Sequence, residues 1–143
     1  MTDPYKLHRF IEAQQEAFGI ALDEVREGSK RSHWMWFIFP QLTGLGRSPT
    51  AQYFAISSLE EARAYLEHAL LGSRLHQCLG ALLQWEGKRT AEQILGPIDA
   101  MKLRSSLTLF EAASGEPSFG RALDAFFGGA RDDRTLALLN GAA

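Results

Sequence analysis

Apolar side chains recur three and four positions apart through most of this chain, which is the spacing of one face of an α-helix. A stripe in the middle of the chain shows the pattern best and consists of Leu71, Leu75, Cys78, Leu79 and Leu82. Similar stripes occupy residues 7–25, 59–70 and 119–126. No Asn-Gly or Asp-Gly pair stands between two runs of alternating apolar and polar residues, so the sequence indicates no β-hairpin. The pattern therefore predicts an all-α fold.

The first helix is predicted over residues 4–27, because Asp3-Pro4 suits a helix start and Gly28 suits a stop. Its apolar residues form one stripe along the helix. Its acidic residues, Glu24 among them, are expected to lie mostly outside that stripe.

Further capping residues and helix breakers divide the rest of the chain. The predicted helices cover residues 49–54, 59–85 as one helix or as two with a break near Gly72, 90–96, 97–114, and two last segments that begin near residue 119 and at Asp132 or Asp133. These elements give an orthogonal-bundle type of fold with six to eight helices that cross at mixed angles.

Length and composition favour one self-sufficient domain over residues 1–143, with a core over about 4–140. Of its 143 residues, 45% are hydrophobic and 22% are charged, which is the composition of a globular protein. A lone cysteine excludes an internal disulfide. The N-terminus lacks the pattern of a signal peptide, and the longest apolar run is far too short to span a bilayer. We therefore expect a cytoplasmic protein with no membrane partner.

Residues 34–39, Trp-Met-Trp-Phe-Ile-Phe, are apolar on every side and follow the basic tetrad of residues 30–33. Periodicity cannot distinguish a helix from a strand in such a run. Its aromatic content favours a strand, whereas the lack of a partner strand and a suitable N-cap at Ser32 favour a short helix that ends before Pro40. We predict the helix. Its six side chains form either an aromatic plug in the core or a plug that also holds the basic tetrad at a pocket mouth.

Residues 99–110 lie on a predicted helix whose apolar side chains point in nearly all directions, as expected for a central helix. Lys102 and Arg104 then lie close to buried surface, where a cation needs a carboxylate or an anionic ligand as its partner. We expect Asp99, one turn earlier, to pair with Lys102. For Arg104 we expect a ligand.

The two segments together predict an anion site, provided that they meet in space. Arginine side chains and helix N-termini both suit phosphate or carboxylate groups, and a tryptophan can stack on a base or a ribose. The candidate ligand-binding residues are Arg31, Ser32, His33, Trp34, Trp36, Lys102, Arg104, Ser105 and Ser106.

The same two segments resemble the signature of a known family. The run KRSHWMWFIFPQ at residues 30–41 and the run DAMKLRSSLTLF at residues 99–110 are similar to the domain-of-unknown-function family numbered eighteen-ten. The resemblance extends over residues 7–139. It implies an all-helical protein of a mostly bacterial family, and it implies no established activity.

No catalytic or metal motif accompanies these segments. The chain has no HExxH motif and no Cys-x-x-Cys pair, and Gly44-Leu45-Gly46 lacks the third glycine and the preceding strand of a phosphate loop. We therefore expect no metal and no cofactor.

Two functional hypotheses remain. The first is a cytosolic small-molecule domain, with or without catalysis, that binds an anionic ligand of the phosphate-containing or nucleotide-like kind. The alternative is a non-catalytic protein-interaction or regulatory helical module with a protein partner. Nucleic acid is disfavoured as a partner because the net charge is -2.

Overall fold

Nine α-helices follow one another along residues 3–141, the part of the chain that the computed structural model describes. In chain order they are α1 (His8–Glu27), α2 (Met35–Ile38), α3 (Pro49–Tyr53), α4 (Leu59–Glu67), α5 (Ala69–Leu83), α6 (Ala91–Leu95), α7 (Pro97–Ser114), α8 (Pro117–Phe127) and α9 (Asp133–Leu139). Extended pairing within this part is limited to one parallel bridge between Leu42 and Ile56. The all-α prediction is confirmed, with one helix more than the upper bound of the predicted number.

Several predicted helix ends are confirmed by their capping contacts. Ser48 caps α3, and Asp132 caps α9 through the amide of Thr135. At α6 the full reciprocal box forms, because Thr90 and Gln93 each accept a hydrogen bond from the other's amide. The sequence was sufficient to predict these caps because each capping side chain and the amide that it binds lie within one helical turn.

The first helix begins later than predicted, at His8 rather than at Pro4. The carboxylate of Asp3 accepts hydrogen bonds from the amides of Leu7 (2.8 Å) and His8 (3.0 Å). The chain makes a turn between these groups, with Lys6 at a φ of 54°. Asp3 therefore caps the helix across that turn rather than from the adjacent position.

The stretch 59–85 is divided at His68, not near Gly72. His68 has extended backbone angles, and its ring accepts hydrogen bonds from the amides of Leu70 and Leu71, so it ends α4 and caps α5. Gly72 lies inside α5, where an added Cβ would collide with the carbonyl oxygen of Leu66. Glycine there permits the close approach of two consecutive helices.

The central position predicted for residues 99–110 is confirmed. Helix α7 packs against α4, α6, α8 and α9, and its side chains from Ser105 to Phe110 are all buried. The other main contact joins α1 to α5, with α2 lying against both. These packings enclose one hydrophobic core.

A buried ion pair connects α1 with α4. The Arg9 guanidinium lies 2.8 Å from the Glu61 carboxylate and also donates to the carbonyls of Tyr53 and Ala55. Glu61 accepts two further hydrogen bonds from the amide and the hydroxyl of Ser57. Both carboxylate oxygens of Glu61 thus accept hydrogen bonds within this network. Buried charges are tolerated when, as here, one cation pairs with one anion and hydrogen bonds satisfy their remaining polar groups.

The helix predicted for the aromatic run is confirmed as one turn, but two details were wrong. Trp34, rather than Ser32, occupies the N-cap position. Four of the six side chains are buried, and the partly exposed ones are Trp36 and Phe37. A turn this short cannot enclose six large side chains, because some of them point away from the core.

We expect Trp34→Ala to lower the free energy of unfolding by about 3–5 kcal/mol, because it removes a large side chain that is 1% exposed. Trp36→Ala should cost about 1 kcal/mol, as is typical of substitutions outside the core. Urea unfolding of both variants measures the difference. Equal losses would contradict the placement of the two indoles.

Candidate functional site

The two segments predicted to form a site do meet in space. The ammonium of Lys30 lies 2.9 Å from one carboxylate oxygen of Asp99, and that of Lys102 lies 3.4 Å from the other. The amide of Lys30 also donates to the carbonyl of Ile94 at 2.7 Å. The chain before α2 is therefore joined to the α6–α7 junction by main-chain and side-chain contacts.

A surface cavity of about 370 Å³ lies between these segments. Its polar lining consists of Lys30, His33, Asp99 and Lys102. Met35 and Trp36 of α2 and residues 95–98 supply the apolar lining. The cavity thus combines a cluster of charges with an aromatic wall.

Each lysine of this cluster also lies over an indole ring. The Lys30 ammonium is 5.1 Å from the ring centroid of Trp34, and the Lys102 ammonium is 5.2 Å from that of Trp36. Side-chain exposure is 9% for Lys30 and 26% for Lys102. The carboxylate and the indoles hold two partly buried ammonium groups in position, and a cation over a ring face is itself favourable.

The buried carboxylate of Glu24 organises the basic segment. It accepts hydrogen bonds from the amides of Arg31 (2.8 Å) and Ser32 (2.9 Å). It also accepts from the Ser32 hydroxyl (2.6 Å) and from the Trp34 indole N–H (2.9 Å). Burial opposes ionisation of this carboxyl, but the four donors outweigh it and lower its pKa to about 2.

The candidates from the first segment divide into two groups. His33 and Trp36 line the cavity. Ser32 and Trp34 bind Glu24, and the Arg31 guanidinium pairs with the exposed Glu27 at 2.7 Å. Two of these five side chains are therefore placed to contact a ligand in the cavity.

The candidates on α7 are also divided. Lys102 lines the cavity, and its predicted pairing with Asp99 is confirmed. Ser105 lines a neighbouring cavity of about 210 Å³, and the hydroxyl of the fully buried Ser106 has no hydrogen-bond partner. Arg104 lines neither of these two cavities.

Arg104 has a carboxylate neighbour within the protein. Its guanidinium lies 3.7 Å from the Asp132 carboxylate, and 34% of its side chain is exposed. That separation is longer than a charge-assisted hydrogen bond, and the Nε atom of Arg104 is buried without a partner. The ligand expected for Arg104 therefore stays a prediction from the sequence.

The role of Glu24 was not predicted from the sequence. Glu24 follows Ala21 by three positions and precedes Gly28 by four, and all three residues are buried. This spacing places Glu24 on the inward face of α1 rather than outside the apolar stripe. The spacing was visible in the sequence, but the donors that make burial of Glu24 tolerable come from a different segment.

Three other features bear on function: a possible metal site, the thiol of Cys78 and the apolar character of the helices. Within residues 3–141, no three His, Cys, Asp or Glu side chains are grouped so that they could hold a metal ion. Cys78 is fully buried, and burial raises the pKa of its thiol to about 12, so it stays protonated. None of the helices in this part combines the length and the apolar character that crossing a membrane requires.

Glu24→Gln should lower the free energy of unfolding by roughly 3 kcal/mol at pH 7, because four donors then lose their anion. The pKa in the folded state lies below the ordinary value of 4.5, so this stability is present above that pH and is lost as the pH falls toward about 2. Urea unfolding at pH 7 and pH 3 measures it, and the gap between variant and wild type should narrow at pH 3. The control Glu27→Gln, on the exposed face of the same helix, should change stability by less than about 0.5 kcal/mol. A gap that does not depend on pH would contradict the role given to Glu24.

Comparison with known proteins agrees with the two sequence motifs. The chain matches the model of the family described as "Protein of unknown function (DUF1810)" over residues 4–139. It is similar to the crystal structure of the conserved hypothetical protein Rv1873 from Mycobacterium tuberculosis, with 52% identity over 96% of this chain and 99% of that chain, and a TM-score of 0.94. No curated protein matches the chain. Because the family match covers far more than half of its 143 residues, this chain is a member of the DUF1810 family.

Proposed function

We propose that this protein binds a small anionic ligand in the cavity between α2 and the α6–α7 junction. The observation that carries the proposal is the arrangement of Lys30, Asp99 and Lys102, in which two ammonium groups share one carboxylate. The three charges leave a surplus of one positive charge beside a cavity. The cytoplasm stays its proposed location, on the basis of the sequence.

The surplus charge favours an anion because partial burial removes some of the water that solvates an ammonium group, and an anion can take the place of that water. Each ammonium carries three N–H donors, so the shared carboxylate does not use all six of them in the two contacts described. Helix α7 also begins at the cavity, and the positive end of its dipole adds a favourable field for an anion.

The walls of the cavity suit the rest of such a ligand. The partly exposed ring of Trp36 offers a flat apolar surface, and His33 lies at the same cavity with a ring that can donate or accept a hydrogen bond. This combination supports a carboxylate or a phosphate compound, including a nucleotide-like one. The proposal is one of binding and assigns no reaction to any residue.

The alternative function, a helical interaction module, is favoured by one observation. Ile98 and Met101 of α7 are 70% and 65% exposed next to the charged cavity. Adjacent exposed apolar side chains with charges beside them are common where proteins bind one another. A protein partner would then present an acidic group to the lysines.

A thermal-shift and calorimetry experiment with the full chain tests the proposal, using inorganic phosphate, acetate and adenosine monophosphate as probes. A probe present at 100 times its dissociation constant should stabilise the fold by about 2.7 kcal/mol. Lys102→Met should abolish this shift, because it removes the surplus charge. The apo stability of the variant should be unchanged or higher, since Asp99 keeps Lys30 as its partner.

Lys88→Met is the matched control, because Lys88 lines neither of the two neighbouring cavities described above. It should bind the probes as the wild type does. Binding that survives Lys102→Met would place the anion elsewhere. A complete lack of response to all three probes would leave the interaction module as the better account.

A further inference from the structure

The charged cavity adjoins a second cavity beside α7, with which it shares two lining residues. The two have volumes of about 370 Å³ and 210 Å³, and Ile98 and Lys102 line both of them. A ligand bound to Lys102 in the first cavity therefore lies beside Ile98, which also lines the second cavity. The second cavity is also lined by Gln41, residues 45–46 and Arg134.

Two exposed apolar side chains of α7 lie at these cavities, Ile98 at both and Met101 at the second. Ile98 and Met101 are three positions apart on α7 and thus lie side by side on one face of that helix. They are 70% and 65% exposed, which are the highest values among the large hydrophobic side chains that the structure describes. Scattered exposed apolar residues are ordinary, but two neighbours that both line a cavity form a surface that an apolar group can cover.

The charges of the two cavities differ. The first holds Lys30, Lys102 and Asp99, with a surplus of one positive charge. The second adds Arg134 and Asp132, whose formal charges cancel. The residues that line the two cavities thus carry a net charge of +1, next to the exposed side chains of Ile98 and Met101.

We propose that the ligand is an amphipathic monoanion, a carboxylate attached to an alkyl chain or an aryl ring. The carboxylate binds Lys30 and Lys102, and the apolar part covers Ile98 and Met101. The inference rests on the proposed function and narrows its ligand class. A single negative charge equals the surplus positive charge of Lys30, Lys102 and Asp99, whereas a dianionic head group would carry one negative charge more than that surplus.

The test is a titration of the full chain with acetate, butanoate, hexanoate and octanoate, each kept below the concentration at which it forms micelles. Calorimetry measures the dissociation constants. Affinity should rise roughly threefold to fourfold for each added methylene until the second cavity is filled. The methyl NMR signal of Met101 should shift with octanoate and not with acetate.

Variants separate the two parts of the ligand. Ile98→Ser and Met101→Ser should flatten the dependence on chain length. Met101→Ser should also leave acetate affinity unchanged, because Met101 does not line the first cavity. Ile20→Ser, a matched change at another exposed apolar side chain, should leave the whole series unchanged. Because all three side chains are at least half exposed, the variants are expected to fold.

The outcomes distinguish this inference from the proposed function. If acetate or phosphate binds and chain length has no effect, the amphipathic ligand is wrong and the anion site stands. If none of these probes binds, the proposed function fails as well. Chain-length dependence that persists in both serine variants places the apolar part elsewhere. An eight-carbon dicarboxylate that binds more tightly than octanoate would show a second anionic contact and would overturn the monoanion.

Discussion

The carboxylate of Glu24 is the interaction on which the arrangement of the site depends. It binds two consecutive amides, one hydroxyl and one indole N–H of residues 31–34. These donors fix the chain that enters α2, so that the Trp34 ring is buried and Lys30 points toward α7. A negative charge inside the protein is tolerated here because four hydrogen bonds compensate for its burial. Without it, the segment would need other partners for the same four donors.

The second constraint is the position of α7 at the centre of the fold. A helix that is buried on most sides has a fixed place relative to its neighbours, and Asp99 in its first turn is therefore fixed as well. Lys30 reaches this carboxylate from one side and Lys102 from the other. Two elements far apart in sequence thus create one rigid cluster of charges. Rigidity of this kind reduces the entropy that a ligand must lose on binding.

Local features of the fold were predictable from the sequence, and features that depend on distant partners were not. The caps at Ser48, Thr90 and Asp132 could be predicted because each partner lies within one turn. The break at His68 was placed wrongly because a histidine seldom caps a helix, whereas Gly72 looked like a breaker and instead permits a close helix contact. For the candidate site, the two segments were identified and the pair between Lys102 and Asp99 within the second segment was predicted, but the contact between the segments through Lys30 and Asp99 was not. Glu24 could not be identified from the sequence as the partner of residues 31–34, because only the fold brings its carboxylate next to their donors.

Two of the charge clusters among the described residues differ in their ratio of cations to carboxylates. Arg9 and Glu61 form a one-to-one pair whose remaining groups bind carbonyls, an amide and a hydroxyl. Lys30, Asp99 and Lys102 form a two-to-one cluster at the wall of a cavity. If the second cluster served stability alone, one carboxylate more or one lysine fewer would serve it better, because unmatched buried charge is unfavourable. An arrangement that leaves one cation unmatched beside an open volume gains stability when an anion enters that volume, and this gain is the physical basis of the proposed binding.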